Sequence, residues 1–354
     1  MGGHRPTAVR PTRLLPLLLV PAALALGASP AGACAGLIGP AGSVELLRTS
    51  TLAAHADGVE HYVTSFEFAG GGAELGSIVP LPSVPTKVER GGDWTLQRLQ
   101  QEVQPEPTAF LAASAEDDRA GASVEVVLEA RIDALDLTVL RGGGTAVGDW
   151  ARENGFRLTP DAPEVLDFYA RRSPVFLAAR FDAPAARDRG QQIGTGTPVH
   201  LTIPTDEPWV PLRILGLGRG GTEVVEADVF LLTERRPSLL AGGPGLDLER
   251  RERASDRLLD DLRSDAGMGW VPDDAWLTHL ALDVPAADLD YDLAIATAPG
   301  ERPSPQAAGL VSPVDVPVTV VEGADVPWLP GALLAGVAAV VGALAVYGRR
   351  RAMP

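Results

Sequence analysis

The 354-residue sequence is poor in several residue types that support particular chemistries. It has one cysteine, Cys34, so no disulfide can form within the chain and the fold must depend on its core. It has one lysine, Lys87, and neither an H-E-x-x-H metalloprotease sequence nor a G-x-S-x-G nucleophile turn. The sequence therefore identifies no catalytic, cofactor-binding or metal-ligating residue, and we expect no cofactor.

The first 33 residues have the composition of a secretory signal peptide. Arg5, Arg10 and Arg13 precede an apolar run of 13 residues that ends at Leu26, and small residues at 31–33 form a cleavage site. A run of this length is too short to span a membrane, which needs about 20 residues. We therefore expect residues 1–33 to be removed.

Residues 327–348 are almost wholly apolar and are predicted to form one transmembrane helix. Trp328 and Tyr347 flank the segment, and three arginines at 349–351 place the tail, residues 349–354, in the cytoplasm. Residues 299–326 are rich in proline and are predicted to be a stalk. The predicted location is the plasma membrane, with a single span and the N-terminal domain outside the cytoplasm.

The part predicted to lie outside the membrane is strongly acidic. The two end segments contain six of the 30 basic residues and none of the 46 acidic ones, which leaves 24 − 46 = −22 for the exported part. Such a surface repels nucleic acid and anionic lipid headgroups. Nucleic acid is therefore excluded as an expected partner.

Cys34 directly follows the predicted cleavage site, and three interpretations of it remain open. A lipoprotein cleavage would leave it as a lipid-modified first residue, although Ala31 replaces the aliphatic residue usual at that distance. It could instead form an intermolecular disulfide, or remain an unmodified residue near the mature N-terminus.

The exported domain, residues 34–298, is predicted to be α+β with mainly antiparallel strands, and a boundary between two lobes near 141–145 is left open. Asp57-Gly58 predicts a hairpin turn within residues 44–68, and Asp93 is expected to cap a helix. A charged helix is predicted from Asp247 to about Ser264. Further helices are expected at 145–155 and 163–172, and strands at 76–81, 123–140, 174–182, 197–203, 210–217 and 223–233, with a closing pair at 275–284 and 290–298.

Two motifs resemble binding sites but are better explained as structure. GLGRGG at 216–221 matches a dinucleotide loop, but the alternating residues after it predict a strand where such a loop needs a helix, so no nucleotide cofactor is expected. In the predicted hairpin His55 and His61 fall on opposite faces and cannot share a metal ion. His200 and His279 each lie alone in apolar strands of the sequence, and each is expected to be a satisfied structural histidine.

Several features together resemble the bacterial DUF2330 family. They are a signal peptide ending at a cysteine, the early Asp-Gly hairpin, GSIVPLPSVP at 76–85, PWVPLRILGLG at 208–218, ADVFLLTE at 227–234 and a single C-terminal span. Many family members carry a second cysteine shortly after the first, where this chain has AGLIGP. The resemblance implies neither an assigned function nor a catalytic residue.

The sequence favours a non-enzymatic cell-envelope protein that binds or scaffolds an envelope protein partner. One alternative is a carboxylate-dependent envelope hydrolase, which would need two carboxyls about 5 to 10 Å apart in one cleft. Another is a surface protein that binds divalent cations through its acidic side chains.

Overall fold

The computed structural model describes residues 36–38, 49–66, 76–103, 125–191 and 196–310, which fall in one compact unit. Cys34, the predicted signal peptide and the predicted transmembrane helix 327–348 lie outside the described residues. Within those residues, no helix has the length and apolarity that crossing a membrane requires.

The described part of the chain is dominated by short strands. In chain order they are β1 Gly36–Ile38, β2 Thr49–Ala56, β3 Val59–Phe66, β4 Gly76–Leu81, β5 Lys87–Arg90, β6 Glu125–Ile132, β7 Leu135–Arg141, β8 Val175–Phe181, β9 Thr197–Pro204, β10 Trp209–Val210, β11 Val224–Thr233, β12 Ser238–Ala241, β13 Leu246–Arg253, β14 Trp276–Pro285 and β15 Leu293–Ala296.

Helices are few and short. They are α1 Thr95–Val103, α2 Gly144–Glu153, α3 Ala162–Ala170, α4 Ala183–Asp188 and α5 Asp256–Ser264, with 3-10 turns at Arg213–Gly216 and Ala286–Asp288.

The strands form three sheets. Their orders are β13-β14-β11-β2-β3-β9-β5, β1-β4-β8-β7-β6 and β10-β15-β12. Among the described strands, β2 and β11 pair in parallel and the other pairs are antiparallel. The predicted α+β class with mainly antiparallel pairing is confirmed.

The described sheets and helices form layers, and three apolar clusters lie between these layers. The central cluster joins the seven-stranded sheet to the other two sheets through residues such as Val229, Leu137 and Leu293. A second cluster covers the opposite face of the five-stranded sheet with α2 and α3, and a third covers the outer face of the seven-stranded sheet with α1 and α5. Because both faces of the sheets are covered, strands such as β2 are buried along nearly their whole length.

The predicted Asp57-Gly58 hairpin is confirmed in its register. Ala56 pairs with Val59 and His55 with Glu60. Asp57 and Gly58 have φ values of 51° and 72°, the positive pair that a type I′ turn requires and that matches the twist of the strands.

The predicted charged helix from Asp247 to Ser264 is wrong in its first half. Residues Leu246–Arg253 form β13, at the edge of the seven-stranded sheet, and pair with β14. Pairing with the open edge of β14 outweighs the helix propensity of this segment, and the charged side chains are typical of an edge strand. Helix α5 begins after Ser255, whose hydroxyl accepts the Leu258 amide at 3.2 Å.

Two further strand predictions need correction. Of residues 210–217, only Val210 lies in a strand, because Pro211 lacks a backbone N–H and the next residues turn into a 3-10 helix. The predicted closing pair exists as β14 and β15, but the two strands lie in different sheets and do not pair.

Asp93 does not cap α1 as predicted. Its carboxylate binds Arg90 instead, and Asp265 takes the cap position from far along the chain. Asp265 accepts the amides of Asp93 and Trp94, both at 3.0 Å, and the Thr95 hydroxyl at 2.8 Å. No local signal could have revealed this cap.

The packed domain continues past residue 298, where the sequence placed the end of the domain. Ala307 and Ala308 are buried in the cluster under α3, and the Ala308 carbonyl accepts the Asp292 amide at 3.0 Å. The remainder of the predicted stalk, from 311 onward, lies outside the described residues.

Candidate ligand-binding groove

An open groove of about 460 Å³ lies on the α2-covered side of the five-stranded sheet. Its floor comes from β6, β7 and β8, and its wall from the end of α2 and the loop that follows. The lining residues are Glu129, Ala130, Arg131, Asp136, Leu137, Thr138, Trp150, Asn154, Phe156, Ala178 and Arg180.

Strand register explains why the floor is polar. Arg131 pairs with Asp136, and Asp136 pairs with Arg180, so these three residues form one row across three strands. Glu129, Thr138 and Ala178 form the neighbouring row by the same pairing. Because paired residues share a face and alternate residues return to it, both rows face the groove.

The row Arg131–Asp136–Arg180 is held by ion pairs. Arg131 Nη1 donates to Asp136 Oδ1 at 2.7 Å, and Arg180 Nη2 donates to Asp136 Oδ2 at 3.1 Å. Arg131 also binds Asp182 at the end of β8. The Asp136 carboxylate is therefore fixed between two guanidinium groups.

Arg131 and its partner Asp182 have shifted pKa values. The hydrogen bond to Asp182 is the largest cause that raises the pKa of Arg131. Partial burial alone would raise the pKa of Asp182, but hydrogen bonds from the Ala185 amide and from Arg131 outweigh it and lower the pKa. Groups held in one charge state are suited to fixed hydrogen bonding, whereas proton transfer needs a pKa near the working pH.

The groove wall is aromatic. Trp150 is half-buried, and its ring centroid lies 5.9 Å from that of the buried Phe156. Asn154 is oriented by donating from Nδ2 to the Trp150 carbonyl at 2.9 Å. Phe156 packs directly on the backbone of Gly76, where an added Cβ would lie 1.4 Å from the ring. Only glycine fits at position 76, which begins the GSIVPLPSVP sequence.

The groove residues were not identified from the sequence. The signal was present as polar residues at alternate positions in EARIDALDLT, on both sides of a turn at Asp133, whose φ is 54°. That pattern shows one polar face, but the third strand and the wall of α2 come from distant parts of the chain.

His55 and His279 have specific hydrogen-bond partners. His55 bonds Thr297 Oγ1 through Nδ1 at 2.9 Å and the Thr205 carbonyl through Nε2 at 3.0 Å. His279 Nε2 lies 2.7 Å from the buried carboxylate of Asp228. His279 is therefore hydrogen-bonded inside the protein, as expected of a structural histidine.

His200 also has partners inside the protein. Its Nε2 lies 2.9 Å from His61 Nδ1, and Trp270 stacks on His61 with ring centroids 4.2 Å apart. His61 and His55 do lie on opposite faces, as the hairpin register predicted. Within the described ranges, no group of three or more His, Cys, Asp and Glu side chains could hold a metal ion.

We expect the His61–His200 contact to make the fold acid-sensitive. Burial lowers the pKa of His200 from 6.5 to about 4 and also lowers that of His61, with smaller contributions from Lys87. The unfolded chain therefore takes up protons first, and stability is lost as pH falls below about 6.5. Replacing His200→Phe should reduce the stability lost between about pH 7 and pH 5 by about 2 kcal/mol, measured by urea unfolding. An unchanged loss would contradict the assignment.

The sequence PWVPLRILGLG at 208–218 packs around one buried carboxylate. Asp292 Oδ1 accepts the amides of Leu212 at 2.6 Å and Arg213 at 3.1 Å, and the Tyr169 hydroxyl at 2.9 Å. Arg172 binds the other oxygen and lies 3.9 Å from the centroid of the Trp209 ring. All of these contacts join residues of the protein to one another, which gives the motif a structural role.

Comparison of the sequence with known protein families shows which family the chain belongs to. Residues 28–239 match the family described as "Uncharacterized protein conserved in bacteria (DUF2330)". The chain belongs to the DUF2330 family. All residues of the groove lie in the matched part of this DUF2330 protein. The resemblance of the sequence to this family is thereby confirmed.

No curated protein matches the DUF2330 chain. Among solved structures, baculovirus P35 has 8% sequence identity to this chain and a TM-score of 0.35. The matched region covers 72% of this chain and 92% of the P35 chain. A mutated baculovirus P35 after caspase cleavage has 7% identity and a TM-score of 0.34, with coverage of 71% and 100%. The caspase-8/P35 complex has 7% identity and a TM-score of 0.32, with coverage of 73% and 94%. These TM-scores are too low to indicate a common fold.

Proposed function

We propose that this DUF2330 protein is an exported, membrane-anchored protein of the bacterial cell envelope that acts by binding a ligand in the groove. Residues 1–33 are removed as a signal peptide, and the helix at 327–348 anchors the domain to the plasma membrane. The domain faces away from the cytoplasm, and residues 349–354 are cytoplasmic. The amino-acid patterns at both ends of the sequence support this arrangement.

The groove is the observation that carries the proposed binding activity. Its volume falls in the range of ligand sites, roughly 300 to 1,000 Å³, and it combines an aromatic wall with a few fixed polar groups. The row Arg131–Asp136–Arg180 is ordered before any ligand arrives, because its ion pairs fix the side chains. Prior ordering lowers the entropy cost of binding.

The carboxylate-dependent hydrolase fits this groove less well. Glu129 and Asp136 both line it, but the Asp136 carboxylate is already engaged in ion pairs with two guanidinium groups. Glu60 is a carboxyl whose pKa is raised, as a general acid requires, but it is fully buried and does not line the groove. The ion pairs of Asp136 and the position of Glu60 outside the groove therefore favour ligand binding over hydrolysis.

We expect the groove to be occupied in the native envelope. Because Cys34 is the sole cysteine, Thr138→Cys in a Cys34→Ser background places one thiol on the groove floor of the full-length protein. A membrane-impermeant maleimide should label it roughly tenfold more slowly in intact spheroplasts than after purification, because a site about 90% occupied is open a tenth of the time.

Val224→Cys in the same background is the matched control, since Val224 is exposed and does not line the groove. It should be labelled at the same rate in both preparations, and its labelling in spheroplasts reports export. Equal rates for Thr138→Cys in the two preparations would overturn the binding proposal. Failure to label Val224→Cys unless the spheroplasts are lysed would overturn the topology.

A further inference from the structure

We propose that the groove ligand is an uncharged oligosaccharide. This inference rests on the proposed binding function and goes further by naming the ligand class. Three properties of the groove support it: its balanced charge, its partly exposed tryptophan and its remaining hydrogen-bonding capacity.

Among the described residues that line the groove the formal charges cancel, although the exported part of the protein carries −22. Arg131 and Arg180 balance Glu129 and Asp136. An anionic ligand would also meet the repulsion of the acidic domain, and a cationic one would meet two guanidinium groups. A ligand with no formal charge incurs neither cost.

The aromatic wall supplies one flat apolar surface. Trp150 is partly exposed and lines the groove, as does Phe156, and their ring centroids lie 5.9 Å apart. A pyranose ring has an apolar face of C–H groups and an edge of hydroxyls, so it can pack on an indole while its hydroxyls face polar groups. A fully apolar ligand would leave the charged floor without partners, at a cost for each desolvated group.

The floor supplies donors and acceptors at fixed positions. A guanidinium has five N–H donors, and Arg131 uses two of its nitrogens for Asp136 and Asp182. A carboxylate has about four acceptor positions, of which the two guanidinium groups occupy two on Asp136. Sugar hydroxyls both donate and accept, so they match a surface on which donors and acceptors lie next to each other. The open shape of the groove suits a chain of sugars that extends beyond it.

The test is calorimetric titration of the full-length protein with maltohexaose, cellohexaose, mannohexaose and xylohexaose. The protein is kept in a detergent without a sugar headgroup. We expect at least one hexasaccharide to bind, and Trp150→Leu to weaken that binding at least about tenfold, as is typical for a tryptophan at the centre of a binding site. The charged hexamer of galacturonic acid should bind more weakly.

Trp94→Leu is the matched control, since Trp94 is another partly exposed tryptophan and does not line the groove. It should leave binding unchanged, and circular dichroism of both variants should match the wild type. If no hexasaccharide binds, or if Trp150→Leu binds as tightly as Trp94→Leu, the oligosaccharide inference is overturned.

The outcomes separate this inference from the proposed function. Protection of Thr138→Cys in spheroplasts without any sugar binding would leave the groove as a binding site and reject the ligand class. Loss of that protection after protease treatment of the envelope would instead identify a polypeptide ligand. Equal labelling in both preparations together with no sugar binding would reject both proposals.

Discussion

Glu60→Gln is expected to remove a destabilising contribution that grows in the wild-type protein as pH rises from about 5 to about 8. Glu60 lies in β3 with no solvent-exposed surface, and within the described part of the protein neither carboxyl oxygen has a hydrogen-bond partner. Burial raises its pKa from 4.5 to about 8, and the nearby Trp209 backbone offsets only part of this rise. The buried side chain is therefore neutral in the folded protein near neutral pH.

The sign of the effect follows from proton binding. Below about pH 4.5 the carboxyl is protonated in both states, so it imposes no pH dependence. As pH rises toward 8 the unfolded chain ionises while the folded protein stays protonated, and stability falls by about 1.4 kcal/mol per pH unit. The total loss between about pH 5 and pH 8 is about 3 to 4 kcal/mol.

The measurement is urea unfolding of the full-length protein from pH 5 to pH 9. Glutamine keeps the shape of the neutral carboxyl, so the variant should equal or exceed the wild type at pH 8. Its stability relative to the wild type should rise by about 3 to 4 kcal/mol from about pH 5 to pH 8, whatever slope the histidines add to both curves. Glu234→Gln, at an exposed carboxylate, should leave the slope unchanged. Parallel curves for wild type and Glu60→Gln would show that Glu60 is not the group responsible.

Arg172→Met is expected to cost about 3 to 5 kcal/mol of unfolding free energy, because it leaves a buried carboxylate without its counter-charge. The side chains of Arg172 and Asp292 are 7% and 0% exposed. Arg172 also donates to the Ala307 carbonyl at 3.1 Å, which fixes the C-terminal end of the described chain to α3. Methionine retains much of the packing on Trp209 but supplies neither the charge nor the hydrogen bonds.

Arg253→Met is the matched control on the protein surface. Arg253 pairs with Asp274, and these side chains are 54% and 70% exposed. Solvent screens such a pair, so its loss should cost no more than about 1 kcal/mol. Adding Asp292→Asn to Arg172→Met should recover part of the larger loss, because the unpaired charge is then removed. Equal losses for Arg172→Met and Arg253→Met, measured by urea unfolding, would contradict a buried ion pair.

Local chemistry predicted the parts of the fold that short-range rules determine. The Asp57-Gly58 turn predicted both a hairpin and its register, because positive φ at two successive positions leaves few alternatives. Helices α2 and α3 were also predicted, since their apolar residues recur at helical spacing.

Tertiary contacts decided the parts that the sequence could not predict. The segment LDLERRER was predicted to be helical from its sequence, but in the folded protein it pairs with the open edge of β14 as a strand. Asp265 caps a helix that begins 170 residues earlier, and its role has no local signature. Glu60 lies in a polar stretch of sequence, and its burial follows only from the layers that cover both faces of its sheet. The groove unites three strands and a helix end, so its residues share a face only after folding.

The most direct test of the binding account is the maleimide labelling of Thr138→Cys in spheroplasts, repeated with Trp150→Leu in the same chain. The account predicts slow labelling when Trp150 is present and labelling close to the rate of the purified protein when it is replaced. This outcome would show that the protection comes from a ligand held by the groove. Labelling that is fast in both chains, or equally slow in both, would contradict the account.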